Sequence, residues 1–251
     1  MFAERRGECG LFRTECHGAL YIGTGISYNE ENLERRACML KEVLELYRAR
    51  GDFFLQLLGQ HIRLSLTAIV VAGCIGLLLG ILVSEHRKAA PVVIGVINVA
   101  YTIPSISLLG ILLPLTGIGD KTALIALTIY ALMPMVRNTY TGIISIDPAM
   151  IEAARGMGCT NGQMIWKIKL PLAFPVILSG FRSMVVMVVA MTGIASFIGA
   201  GGLGVAVFRG ITINNFAMTV AGSILIAAFA LLCDFVLGRV EHHYKKKRRM
   251  V

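Results

Sequence analysis

Four long stretches of this 251-residue chain contain no charged side chain and a fifth contains one, and no other feature constrains the fold as much. Leu64–Val83 is uncharged for 20 residues and Ala89–Gly119 for 31. Thr122–Ile146 is interrupted by Pro134 and Arg137. The fourth run, uncharged between Arg182 and Arg209, holds a span of roughly Phe174–Ile198, and the fifth, Ile211–Cys233, supplies one of roughly Phe216–Gly238. A helix of 20 residues is ~30 Å long, which matches the hydrocarbon core of a bilayer. The second run is long enough for a tilted span with its flanks. Lipid offers no partner to a backbone amide, so apolar runs of this length must be helical. The expected fold class is therefore all-α: a polytopic membrane protein with about five transmembrane helices.

Charge points the same way. The chain is 56% hydrophobic and only 16% charged, against about 25% charged in an ordinary soluble domain. Residues 1–63 hold nine Lys/Arg and nine Asp/Glu, while the remaining 188 hold fifteen and six, so the apolar part supplies the whole net charge of +9. This excludes a disordered, collagen-like or disulfide-built chain. It also argues against a soluble enzyme, because too little polar surface remains to cover a core. The six cysteines show no C-x-x-C spacing. They read as reduced structural thiols, with no metal site in prospect.

Basic residues set the expected orientation. Arg87 and Lys88 sit after the first run, three Lys/Arg lie in 147–171, and six follow Gly238. The alternate connections hold only Lys121 and Arg209. The rich loops are expected in the cytoplasm together with the C-terminus, and the N-terminus outside the cell membrane. Residues 39–61 then form an external or interfacial segment, 62–238 the transmembrane domain and 239–251 a basic cytoplasmic tail. The nine Lys/Arg ahead of the first run fit poorly outside. A chain begun at Met39 would keep four of them, so residues 1–38 are expected to be a non-native or disordered extension.

The 147–171 connection has its own pattern. Asp147-Pro148 is a helix start, with an N-cap carboxylate and a proline in the first turn. Met150, Ile151, Ala153, Ala154 and Met157 supply a short helix with a small-residue face. Gly156 and Gly158 end it, because glycine accepts the left-handed cap. A second helical piece, Gln163–Lys169, runs up to Pro171, which returns the chain to the membrane. Glu152 is the single acidic residue between Pro148 and Pro171. The whole connection resembles a peg for a groove in a cytoplasmic partner.

Glu152-Ala153-Ala154, then Gly158, then Ile168 and Leu170-Pro171 match the EAA loop of ABC importer permeases. The resemblance extends over nearly all of the chain from about Leu40. Tyr101–Ser105, Arg137–Gly142 and Ala195–Gly204 are similar to the permeases of osmoprotectant importers for glycine betaine, carnitine or choline. The resemblance implies a type I ABC importer permease fold (MetI-like). It also implies that the EAA residues Glu152, Ala153, Ala154, Gly158, Ile168, Leu170 and Pro171 dock an ABC ATPase dimer. ATP and Mg would be bound by that partner, with no cofactor and no catalytic residue in this chain. A second permease, identical or paralogous, and an extracytoplasmic substrate-binding protein would complete the assembly in the lipid bilayer. Pore or gate candidates are Tyr101, Pro104, Arg137, Asn138, Gly199, Gly201, Gly202 and Gly204.

Other readings stand beside these. Gly199–Gly204 satisfies G-x-G-x-x-G, but no strand precedes it, so a dinucleotide site is not expected. Its glycines read equally as a pliant loop beside a gate or as close helix packing. Arg137, Arg182 and Asp234 lie near membrane ends, where coupling and snorkelling to headgroups both account for a charge. Tyr101, Tyr130 and Tyr140 read as core or interfacial rings or as cation–π contacts. Gly76 and Gly80 form a small-xxx-small face expected to pack within the subunit. Lys245–Arg249 reads as a topology anchor and not as a nucleic-acid patch. A related importer for another small amino-acid-like or quaternary ammonium solute, a passive channel and a membrane scaffold are the rival functions.

Overall fold

The computed structural model describes residues 40–248, so the expectation for residues 1–38 lies outside the described residues. Those described are helical with no strand among them. Helix α1 (Gly51–Glu85) is followed by α2 (Ala90–Thr102), α3 (Ser105–Thr116) and α4 (Asp120–Ile144). Then come α5 (Pro148–Gly156), α6 (Asn161–Thr192), α7 (Gly204–Thr212) and α8 (Phe216–Arg248). Three of these (α1, α6 and α8) are long and apolar enough to cross a membrane alone, and the α2–α3 pair supplies a fourth crossing if it acts as one span.

The first span starts earlier than its uncharged run. Phe54, Leu57 and His61 continue the buried stripe of Leu64 and Ala68 toward the N-terminus at helical spacing. With Val43 on the helical stretch 40–49, Phe54 and Leu57 join Leu203, Ala206, Met218 and Ala221 in a small cluster. Residues 51–61 are thus part of the bundle and not a separate segment. Tyr47 seals this cluster by donating to the Ala221 carbonyl at 2.7 Å. Burial pushes its phenol above the usual value, which keeps the proton on the donor.

The second run is not one tilted span. It bends by 97° between α2 and α3. Pro104 has no N–H to continue α2 and forces Ile103 into an extended conformation (φ −65°, ψ 127°). The Ile103 carbonyl accepts from the Tyr130 hydroxyl instead.

Helix α4 is the hub of the bundle, contacting α1, α2, α3 and α6. Its apolar run is diluted by Thr128, Pro134, Arg137, Asn138 and Thr139, and it does not meet the length-and-apolarity standard of the other spans. Protein replaces lipid around much of it, so its surface need not be apolar all round. Small residues let its neighbours come close. A Cβ on Gly76 would lie 2.8 Å from Met135, and one on Gly180 would lie 2.4 Å from the Asn138 Cβ. The Gly76–Gly80 face is therefore used inside the subunit.

Candidate functional site

The arm between α4 and α6 begins as its residues dictate. The Asp147 carboxylate accepts from the Ala149 N–H at 2.9 Å, and Pro148 occupies the first turn of α5. The left-handed position after α5 is taken by Gly158 alone, at φ +82°, while Gly156 stays helical. Thr160 then caps the next helix in a reciprocal box with Gln163. This second piece does not stop at Pro171. It runs on as one helix through Pro171 and Pro175 to Thr192. A π turn, Met164–Lys169, precedes the proline. Widening the helix there relieves the clash between the proline ring and the carbonyl one turn back. The arm is therefore the rigid end of α6 folded against α5, and not a loop joined to a span by a hinge.

The EAA residues divide between the inside and the outside of this arm. Glu152, Ala153, Gly158 and Pro171 are exposed, Ile168 and Leu170 half-buried, and Ala154 buried where α5 meets the π turn. Ala154 thus serves the arm's own packing. Glu152 has no ion pair among the described residues. The same arm carries apolar side chains that water should not leave bare: Met157 is 78% exposed, Trp166 70% and Met150 48%. Lys169 ties the arm to the end of α1 through Glu85, at 2.5 Å.

The pore candidates separate into two groups. Tyr101 is 43% exposed, packs its ring edge against Tyr130 at 6.0 Å and places its hydroxyl 3.8 Å from the Met187 sulfur. With Pro104 at the bend, it marks where α2, α4 and α6 adjoin. Arg137 is exposed on α4 without an ion pair among the described residues. Asn138 faces the other way, donating to the Pro134 carbonyl at 2.7 Å and packing on Gly180.

The glycine run lies at the opposite end of the bundle from the arm, beside the start of α4. Gly199 and Gly201 help line an open cavity of about 390 Å³ with Gln60, Arg63 and Asp120. Arg63 and Asp120 pair across it at 2.6 Å. Gly199, Gly201 and Gly202 all have φ between +75° and +80°. Gly204 is pressed on backbone, since a Cβ there would lie 1.8 Å from the Gly193 carbonyl oxygen. Gln60 holds the run by accepting from the Gly202 N–H at 3.1 Å.

Two features escaped the sequence reading. His61 is fully buried, with Nε2 3.1 Å from the Val189 carbonyl and Nδ1 without a partner among the described residues. Its place in the 54, 57, 61, 64 stripe was the available signal. Arg182 and Asp234, read separately as end charges, meet in a two-pronged pair at 2.6 and 2.7 Å, and Glu241 adds a third contact at 3.1 Å. The seven-residue spacing of Asp234 and Glu241, which puts them on one helix face, was the signal there.

Comparison with known proteins gives the family and the fold. Residues 72–249 match the family model described as binding-protein-dependent transport system inner membrane component. A carnitine transport permease of Listeria monocytogenes is 37% identical over 205 residues, covering 82% of this chain and 94% of that protein. A glycine betaine/carnitine/choline transport system permease of Bacillus subtilis is 38% identical, covering 81% and 89%. Among solved structures, an inward-facing methionine ABC transporter chain superposes with a TM-score of 0.71 at 24% identity, covering 76% of this chain and 95% of that one.

Proposed function

The chain belongs to the binding-protein-dependent transport system inner membrane component family, and from that premise we propose that it is the permease subunit of an ATP-driven importer for osmoprotectants. The observation that carries the reading is the arm: an exposed acidic residue, Glu152, and exposed Met150, Met157 and Trp166 on the two helical pieces that end in α6. Such a surface suits a groove in a protein partner, here a cytoplasmic ABC ATPase dimer. The arm and the C-terminal tail face the cytoplasm in this reading, and the cavity beside the glycine run faces the substrate-binding protein. A second permease, a copy or a paralogue, completes the pore. The small quaternary ammonium compounds named for the relatives are the solutes.

The mechanism follows from a rigid arm in a two-state bundle. Closure of the ATPase pair on ATP moves the docked arms, and α6 carries that displacement into the membrane without an intervening hinge. The bundle rocks from inward-open to outward-open, and ATP acts through its differential affinity for the two states. ATP is hydrolysed in the partner. Arg137 on α4 and Tyr101 on α2 are both exposed, and a passing zwitterion would meet a cation at one and a ring at the other.

The test is uptake of radiolabelled glycine betaine, carnitine and choline into proteoliposomes holding the complete complex. Uptake of at least one that requires both ATP on the arm side and binding protein on the other supports the reading. Flux without ATP identifies a passive channel, and ATP hydrolysis that none of these solutes stimulates overturns the substrate class.

A further inference from the structure

Helix α8 is the least enclosed of the long helices: 11% of its apolar stretch is buried, against 44% for α6. What holds it differs at its two ends. Near its start, Met218 and Ala221 join the cluster with Leu203 and Ala206, and Gly222 lies against Val207 of α7. Toward its other end it meets α6: Phe229, Ala230, Cys233 and Leu237 pack on the apolar core, Tyr244 lies 5.0 Å from the Phe174 ring, and an ionic contact is added. Arg182 of α6 grips Asp234 with Nε and Nη2, and reaches Glu241 with Nη1. The second oxygen of Glu241 is held by Lys245 at 2.5 Å. Two cations and two carboxylates thus balance within one network, which lets charge persist at an intramembrane helix contact.

The backbone is cut to fit this network. Asp234, Gly238, Glu241 and Lys245 share one face of α8, and the guanidinium lies over Gly238. A Cβ at Gly238 would stand 3.0 Å from the Arg182 Cζ and 3.1 Å from Nη1. Asp234 and Glu241 are seven residues apart, or ~10 Å along the axis, and one planar fork spans them. Lysine carries the same charge but cannot hold both carboxylates in that geometry.

We propose that Arg182 is a positioning residue for transport: it clamps α8 to the arm-bearing helix, so that displacement of the arm is passed through α8 to α7 and the Gly199–Gly204 run. The proposal rests on the permease reading. Its physical basis is connectivity. Arg182 lies thirteen residues beyond Lys169, ~20 Å along the helix that forms the arm. The far end of α8 is packed on α7 directly after the glycine run. The clamp adds a polar, directional tie to the apolar contacts between α6 and α8.

The experiment uses the full complex in proteoliposomes and measures solute transported per ATP hydrolysed, together with membrane assembly of the permease. Arg182→Lys is expected to assemble and to hydrolyse ATP, while the transport-to-hydrolysis ratio falls about tenfold. The swap Arg182→Asp with Asp234→Arg should recover at least half of the loss that either single reversal causes. A thiol-reactive probe on Phe197→Cys, beside the glycine run, should change its labelling rate with ATP in the parent and not in Arg182→Lys. An unchanged ratio in Arg182→Lys overturns the proposal. So does a fall in transport and hydrolysis in equal proportion, which would make the clamp a matter of assembly alone. If the parent complex itself shows no ATP-dependent uptake, the permease reading has failed and not the clamp.

Discussion

A methyl group added to Gly80 would lie 2.5 Å from the Thr139 Cβ, whereas one added to Gly73, two turns earlier, would meet nothing closer than the Met184 Cε at 3.6 Å. Gly80→Ala is therefore expected to cost about 1–3 kcal/mol through overpacking of α1 on α4, and Gly73→Ala to stay within about 0.5 kcal/mol. Thermal unfolding of the purified permease in detergent checks both, and equal effects would contradict the packing described here. That Gly76 and Gly80 mark a close contact was legible in the sequence, because small residues four apart on an apolar helix have few other uses. Their partners, Met135 and Thr139, were not, since nothing in a spacing of four names the facing helix. His61 was missed for a related reason: one histidine on an apolar stripe carries no signal of whether a carbonyl waits for it across the interface. The opposing charges of Arg182 and Asp234 were visible individually, but the 52-residue separation between them hid their meeting.

At the scale of elements, the arm's start was the most legible part, because an N-cap and a first-turn proline act locally. Asp147→Ala removes the acceptor of the Ala149 N–H and should weaken α5 by about 1 kcal/mol. Faster amide exchange confined to residues 149–152 is the expected result. Gly158→Val places a β-branched residue at φ +82°, a strain of at least about 1–2 kcal/mol. It should lower recovery of the ATPase with the permease while leaving membrane insertion intact, and full recovery would show that the turn tolerates another geometry. The bend at Pro104 and the passage of α6 through Pro171 were not legible. The same residue type breaks one helix and is absorbed by another, and the difference lies in a π turn that no local pattern announces. Reversing Glu85 to Lys should loosen the arm from α1, and the double exchange with Lys169→Glu should restore ATPase recovery. Failure of the double exchange would mean that the pair does not fix the arm.

For the whole molecule, the helical class and the family were readable from apolar runs and the EAA spacing, because both are constraints of the solvent and of a rigid partner. How the runs become a bundle was not, since α4 is a hub surrounded by protein and its polar residues make sense only once its neighbours are in place. The account therefore comes down to the arm, whose exposed Met157 and Glu152 present a surface to be held. The most direct measurement is crosslinking from Met157→Cys to the ATPase in the assembled complex, with and without Glu152→Lys. A permease–ATPase adduct that forms in the parent background, changes in yield with ATP and is lost in Glu152→Lys is the predicted result. A complex that transports solute yet gives no adduct, or an introduced thiol that a membrane-impermeant reagent labels from outside intact cells, would contradict it.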